Sequence, residues 1–267
     1  MIYYWPERKR LIFLQQEASP DFWDKWWENE DWYKRITSCR NSRYWHSIVN
    51  KYIPDKNGRI LEGGCGDGRL VDAMKYWGYE AVGIDYATAT VKKINEVMPD
   101  LDVRYGDVRK LEFEDNSFDG YWSLGVIEHF WEGYEDIISE MKRVLKPGGY
   151  LFLYFPSVSL LDRMLVPLNK YKIFHGTEKP ELFYQFGLDV KSVKKELLHI
   201  GFECVDCHKE NGLLGIERVF PSFKKYNQKM MNMSQRNKIF KLSYYAASMI
   251  LSPLCGHNAM MVFRKPY

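Results

Sequence analysis

The chain predicts an α/β protein built on a doubly wound, mainly parallel sheet. Three observations predict it. At residues 59–77 a short apolar stretch ends in a glycine-rich turn, RILEGGCGDGR, which opens directly into a helical pattern. From there to Phe155, five strand-like segments alternate with helix-like ones, the rhythm of a parallel sheet with helices on both faces. The last of the five, Tyr150 to Phe155, is continuously apolar, as expected of a strand buried on both sides.

Residues 1–58 read as an aromatic, mostly helical preface. Trp5, Trp23, Trp26, Trp27, Trp32 and Trp45, six of the nine tryptophans, precede the glycine turn. Ser19 as N-cap, Pro20 at the first helical position and Asp21 in the first turn start a helix bearing Phe22, Trp23, Trp26 and Trp27 on one stripe. A second helix runs from about Ser42 to Tyr52, with Tyr44, Trp45, Ile48 and Val49 on one side, and ends before Pro54 and Gly58. These aromatics either cover one end of the sheet or close over a ligand, because aromatic faces attract cations. Trp27 and Tyr33 are the candidates for the second role.

Ile60 and Leu61 end the first strand, and glycines follow at 63, 64, 66 and 68. Glycine permits a left-handed turn and a close backbone approach to a ligand, and the helix start offers unpaired N–H groups to it. Leu70, Val71, Met74 and Trp77 give that helix, which stops at Gly78. Ala81 to Asp85 is the second strand. Asp85 lies at its carboxyl end, about twenty residues past the glycines, where an acidic side chain accepts from ribose hydroxyls or caps the following helix, Ala87 to Met98. Leu101 to Tyr105 is the third strand and leads into Gly106-Asp107-Val108, ordinary turn chemistry taken alone.

A polar segment, Leu111 to Phe118, precedes the fourth strand at Asp119 to Leu124. Tyr134, Ile137, Ile138, Met141 and Leu145 then mark an amphipathic helix that stops at Lys146-Pro147-Gly148-Gly149. Residues 157–188 form an apolar and aromatic insertion over the open end of the sheet. A helix at Asp189 to Ile200, a strand at Gly201 to His208, a second insertion at 209–256 and a strand at Ala259 to Arg264 complete the chain.

The dinucleotide fingerprint requires a glycine three residues after the second one, and Arg69 stands there. The strings LEGGCGDG, VGID, GDV, SFDGYWSLGVIEH and RVLKPGGYL, in this order, instead resemble class I S-adenosylmethionine-dependent methyltransferases. Within them the likeness is to the small-molecule branch that includes ubiquinone and menaquinone methyltransferases. It runs from Arg59 to about Phe155 and covers the closing strands more loosely. The resemblance implies a Rossmann-like seven-stranded sheet of order 3-2-1-4-5-7-6 with the last strand antiparallel. It implies a methyltransferase domain at 59–267 carrying the two insertions. S-adenosyl-L-methionine would be the methyl donor, and S-adenosyl-L-homocysteine the product.

The resemblance assigns cofactor contacts to Glu62, Gly64, Cys65, Gly66, Asp85, Tyr86, Asp107, Val108, Ser123 and Leu124. Asp85 would take the ribose and Asp107 the adenine amino group, with Val108 offering its backbone. Methyl transfer from a sulfonium requires no general acid, whereas a hydroxyl acceptor gains from a general base. His129, just past the fourth strand, is the candidate base because imidazole titrates near neutrality; the other reading is a histidine that orders the pocket. His175 and Tyr184 are looser candidates. No Asp/Asn-Pro-Pro-aromatic string follows the fourth strand, which argues against nucleobase amino groups as acceptors. The acceptor expected is a small molecule, or a lipid or glycan precursor. A non-catalytic S-adenosylmethionine-binding protein and a nucleotide-dependent oxidoreductase are the rival readings.

Composition adds limits. Hydrophobic content of 46%, charged content of 27% and a net charge of +3 are ordinary for a soluble domain, and no nucleic acid partner is expected. Tyr3, Tyr4 and Trp5 lead into Pro6 and a charged run, not a long apolar segment, and Leu242 to Leu254 is shorter than the ~18 residues of a membrane span. Cysteines 39, 65, 204, 207 and 255 are odd in number, so reduced thiols and a cytoplasmic location are expected. Cys204-Val205-Asp206-Cys207-His208 matches a haem-attachment string but falls where a strand is expected, and it lacks a second pair for zinc. Residues 217–241 hold seven Lys or Arg against one acidic residue, interleaved with aromatics and methionines. A lid, a dimer contact, a peripheral contact with anionic lipid and a solvated basic helix are all open for this segment.

Overall fold

A computed structural model describes residues 1–28 and 31–267. The chain opens with two strands, β1 (Ile2–Trp5) and β2 (Arg10–Leu14), paired antiparallel across a turn in which Lys9 has φ 51°. Three helices follow: α1 (Pro20–Trp27), α2 (Trp32–Ile36) and α3 (Arg43–Tyr52). Ser19 caps α1 and Ser42 caps α3, each accepting a backbone N–H from three residues on. Strands and helices then alternate as β3 (Arg59–Gly63), α4 (Arg69–Tyr76), β4 (Glu80–Asp85), α5 (Thr88–Val97), β5 (Asp102–Tyr105), β6 (Phe118–Leu124), α6 (Glu135–Val144) and β7 (Leu145–Pro156). The first insertion holds α7 (Leu160–Leu165), β8 (Lys172–Ile173) and β9 (Phe183–Gly187). After it come α8 (Val190–His199), β10 (Glu203–Glu210), α9 (Gly212–Val219), α10 (Lys224–Arg236), α11 (Lys238–Cys255) and β11 (Asn258–Arg264).

Seven strands form the main sheet, in the order β10-β11-β7-β6-β3-β4-β5. β11 lies antiparallel between β7 and β10, and the pairs from β5 to β7 are parallel. This is the topology that the resemblance implies. The period of two along each central strand explains why both faces are buried. Leu61, Tyr121 and Leu151 point to one core, while their neighbours Ile60, Trp122 and Phe152 point to the other. Trp122 stacks on Phe152 with centroids 4.3 Å apart.

The structure corrects two expectations. The preface is not mainly helical at its start: β1 and β2 join β8 and β9 in a second sheet, order β8-β1-β2-β9. Ile2 to Trp5 and Leu11 to Leu14 have β-prone side chains, but a lone hairpin is marginal in water. Its partners come from a segment some 170 residues away, which local pattern does not reveal. Trp5 seals the joint, stacking on Trp131 at 5.1 Å. Secondly, Leu145 does not close the helix. α6 ends at Val144, and Leu145 already pairs with Phe118. The Lys146-Pro147-Gly148-Gly149 run therefore lies within the start of β7, beside a register shift, with Gly148 at φ 80°.

Candidate active site

The site begins with the glycine turn. β3 is flanked by β4 and β6, so its carboxyl end opens at the centre of the sheet edge. Gly64, Gly66 and Gly68 take φ of 73°, 50° and 72°, where side chains with a Cβ are strained. The turn is pinned to β4: the N–H groups of Gly64 and Cys65 both donate to the carbonyl of Ile84, at 2.7 and 3.0 Å. Asp85, at the tip of β4, accepts from the Gly66 N–H at 2.7 Å and from the Ala87 N–H at 2.9 Å. The turn and Asp85 are thus one unit, and Asp85 also serves the start of α5. Burial holds its carboxyl above the usual range, opposed by those backbone donors.

A cavity of about 250 Å³ lies against this unit. Its floor is Gly64 and Gly66, and one wall is Asp85, Tyr86 and Gly106 to Arg109. The opposite wall is Leu124, Gly125, Val126, His129 and Phe130, and the roof is Ala18, Trp23 and Trp27. The roof comes from the preface. A Cβ at Gly66 would stand 2.6 Å from Trp27 Cζ2, and one at Gly64 2.5 Å from Val126 Cγ2. The Tyr86 hydroxyl donates to the Ala18 carbonyl at 3.0 Å, tying roof to wall. Arg35 holds the turn from behind, its Nε 2.8 Å from Asp67 and its guanidinium 5.1 Å from the Trp27 ring.

Seven of the ten cofactor residues singled out from the sequence line this cavity: Gly64, Gly66, Asp85, Tyr86, Asp107, Val108 and Leu124. His129 lines it as well. Glu62, Cys65 and Ser123 are buried behind the lining, at 4%, 5% and 1% exposure. Among them, Glu62 Oε2 and Ser123 Oγ have no hydrogen-bond partner within the described residues. Burial, then Asp67, pushes the Glu62 carboxyl well above its ordinary value. Asp107 is held below the usual carboxylate range by Arg109, whose Nη2 lies 2.6 Å from Oδ2. Tyr33 is 57% exposed and His175 is on the surface, so neither joins the site.

Sequence reasoning missed Trp23, Arg109 and Phe130. Trp23 sits on the same stripe as Trp27, and Arg109 stands two residues from Asp107, so the first two had a local signal. Phe130 receives the Arg109 guanidinium on its face at 5.5 Å, a contact made by the fold.

His129 sits in a single 3₁₀ turn, Ile127–His129, after β6. Its Nδ1 is 2.8 Å from the carbonyl oxygen of Tyr184 on β9. A carbonyl only accepts, so Nδ1 carries the proton and Nε2 presents a lone pair. Trp23 and Tyr184 pack edge-on to the ring, at 5.1 and 5.2 Å. Burial lowers the histidine's pKa to about 4, against a smaller opposing effect of the Tyr184 carbonyl. The ring is therefore neutral at physiological pH, not poised near neutrality as the sequence suggests. Its neighbour Glu128 is fully buried and pushed up to about 8, with Oε1 4.0 Å from Nε2 and Oε2 unpartnered within the described residues. Two groups that would carry opposite charges in water are both neutral here because burial penalises either charge.

A glycine turn on the first strand of a parallel sheet, an acid on the tip of the second and a roofed cavity at the carboxyl edge are the arrangement that nucleoside-binding α/β folds use. The comparisons with known proteins make it more specific. Residues 61–153 match the family described as a methyltransferase domain. A probable S-adenosylmethionine-dependent methyltransferase of Mycolicibacterium smegmatis is 30% identical over 59% of this chain and 64% of its own. A ubiquinone biosynthesis O-methyltransferase of Paracidovorax citrulli is 30% identical over 48% of this chain and 55% of its own. A sterol 24-C-methyltransferase of Saccharomyces cerevisiae is 26% identical over 68% of this chain and 50% of its own. This chain thus spans about half to two thirds of the length of these relatives.

Among solved structures, a putative sarcosine dimethylglycine methyltransferase from Galdieria sulphuraria shares the fold with a TM-score of 0.56 at 16% identity, over 95% of this chain and 92% of its own. The PH0226 protein of Pyrococcus horikoshii does so with a TM-score of 0.52 at 20% identity, over 89% of this chain and all of its own. Residues 61–153 thus form a methyltransferase domain, and around it the chain is similar to S-adenosylmethionine-dependent methyltransferases.

Proposed function

We propose that this chain transfers a methyl group from S-adenosylmethionine to a small molecule or a lipid or glycan precursor. The observation that supports it most is the coupling of Gly66 to Asp85 across 2.7 Å at the floor of the roofed cavity. It supports a backbone cradle and a ribose-accepting carboxylate within reach of one ligand. The chain's residues also fit the cationic end of such a donor. Glu62 Oε2 and Ser123 Oγ, just behind the lining, are buried polar atoms without a hydrogen-bond partner among the described residues, and an unpaired buried polar group costs free energy unless a ligand or water satisfies it.

When bound, S-adenosylmethionine supplies an electrophilic sulfonium methyl whose thioether leaves without protonation. The protein's part is to align the acceptor and exclude water, which positioning alone makes worth several kcal/mol. Asp85 holds the ribose end, and Asp107 with Val108 holds the base end. Asp107 is engaged by Arg109, so its share in base recognition requires that pair to adjust. Trp23 and Trp27 roof the cavity and keep water out. His129 Nε2 is the acceptor for a substrate proton, held in its tautomer by the Tyr184 carbonyl. A pKa near 4 makes it a weak base, which suits an acceptor that needs orientation more than deprotonation.

The reading against an oxidoreductase rests on Arg69 in place of the third fingerprint glycine. Calorimetry with S-adenosylhomocysteine and with NAD tests it, the former binding and the latter not. NAD binding the tighter of the two would overturn the proposal. Transfer of labelled methyl from S-adenosylmethionine into a cell extract, abolished by blocking the cavity, separates an enzyme from a cofactor sensor.

A further inference from the structure

The second insertion folds as three helices, of which α10 and α11 carry apolar side chains outward. On α11, Ile239, Leu242, Met249 and Ile250 are 78%, 73%, 71% and 74% exposed. With Ala246 and Pro253 they recur at i, i+3, i+7, i+10, i+11 and i+14, one face of a helix. The opposite face is polar or small: Ser252 and Cys255 are buried, and Ser248 accepts from the Ser252 hydroxyl at 2.7 Å. The backbones come close there because α9 offers Gly212, whose Cβ would meet the Ser248 carbonyl at 2.4 Å. α10 likewise buries Asn227 and Ser234. A soluble surface helix normally has this pattern reversed. The apolar surface continues onto α7, which packs against α11 and exposes Leu160 and Met164, with Leu168 just beyond it.

Charge identifies what would cover this face. From Arg218 to Cys255 the sequence has seven Lys or Arg and no Asp or Glu. Lys238 and Lys241 flank the apolar stripe in the first turn of α11, and Lys225, Lys229 and Arg236 line a shallow depression on the outer side of α10. A second copy of this surface would bring like charges together. An apolar stripe bordered by cations on long stems fits the interface of an anionic bilayer, where the stripe sinks among the acyl chains and the cations meet phosphate. No described helix is long and apolar enough to cross a membrane.

We infer that α10 and α11 form a peripheral docking surface for anionic phospholipid membranes. Its place in the fold gives the contact a purpose. The helices leave β10 at Glu210 and re-enter β11 at Asn258, and Asn258 pairs with both Glu210 and Pro156, the last residue of β7. They therefore emerge at the carboxyl edge of the sheet, the edge that holds the candidate active site. Docking presents that edge to an acceptor resident in the bilayer. In this respect the inference rests on the methyltransferase reading, but the contact itself does not.

The test is co-sedimentation of the full chain with vesicles at physiological ionic strength. One set is pure phosphatidylcholine, and the other has about one third phosphatidylglycerol. The chain should sediment with the anionic set about tenfold more than with the neutral one. Leu242→Glu with Ile250→Glu should lower this by about tenfold, and so should Lys225→Glu with Lys229→Glu. All four positions are exposed, so circular dichroism and S-adenosylhomocysteine binding should be unchanged, which keeps this result separate from that of the proposed function. No preference for anionic vesicles, or a preference that both variant pairs retain, overturns the inference. So does a dimer in sedimentation that the Leu242 and Ile250 substitutions dissolve while vesicle binding persists.

Discussion

At the residue scale, the site depends on positions where one atom decides the geometry. Gly66 has a left-handed φ and the Trp27 ring where its Cβ would be. Gly66→Ala should cost about 1–2 kcal/mol in backbone strain alone, and displacement of Trp27 should weaken S-adenosylhomocysteine binding further. Thermal melts and calorimetry measure the two effects separately. Asp85→Ala removes acceptors from Gly66 and Ala87 and from any ribose. Binding should fall by ~1.5–3 kcal/mol, the worth of hydrogen bonds to a charged group. An affinity left unchanged on calorimetry would remove Asp85 from the pocket.

Glu128 and His129 are the titrating pair. The Glu128 pKa is raised to about 8, so the folded state holds a proton that the unfolded state releases above its own value near 4.5. Its contribution is full below that value and is lost as pH rises toward 8. His129, lowered to about 4 from 6.5, does the opposite: its contribution is full above 6.5 and is lost as pH falls toward 4. In ligand-free protein Glu128→Gln should therefore raise the melting temperature more at pH 8 than at pH 5. A gain equal at both would show that Glu128 is not protonated in the fold.

At the element scale, short connectors do most of the positioning. α2 is five residues long, yet its Arg35 both pairs with buried Asp67 and lies over Trp27. Arg35→Ala should weaken cofactor binding although the residue is outside the cavity lining, and should destabilise the chain by about 1–3 kcal/mol because Asp67 loses a buried partner. Arg69, 3.3 Å from Asp67, limits the loss. A cycle with Asp67→Asn should be less than additive, and full additivity would mean that the two side chains act independently. β9 has a comparable role at the other wall, since its Tyr184 carbonyl fixes the His129 tautomer.

At the scale of the whole molecule, the small sheet clasps the chain's first residues to the insertion after β7. Trp5 is where the clasp closes, touching Trp131, Phe174 and Phe186. Trp5→Ala should cost about 3–5 kcal/mol in urea unfolding and, by loosening β9, should disturb His129 as well. A loss under 1 kcal/mol, far below the usual range for a buried tryptophan, would mean that the small sheet is not part of the cooperative unit.

The main sheet and the floor of the cavity were legible in the sequence because both are written in short-range patterns. Short apolar runs, glycines at the turn and an acid at the next strand's tip all constrain neighbours in the chain. The roof over the cavity, the proton on His129 and the β1–β2 partnership with β8 and β9 were not, because each depends on groups brought together from distant segments. Burial of Glu128 and His129 shows this most clearly: their identities were plain from the chain, but packing around them set their charge. The outward apolar stripe of α11 belongs to both levels, since its spacing is local while the direction it faces was decided by the glycines of α9 and the serines packed against them.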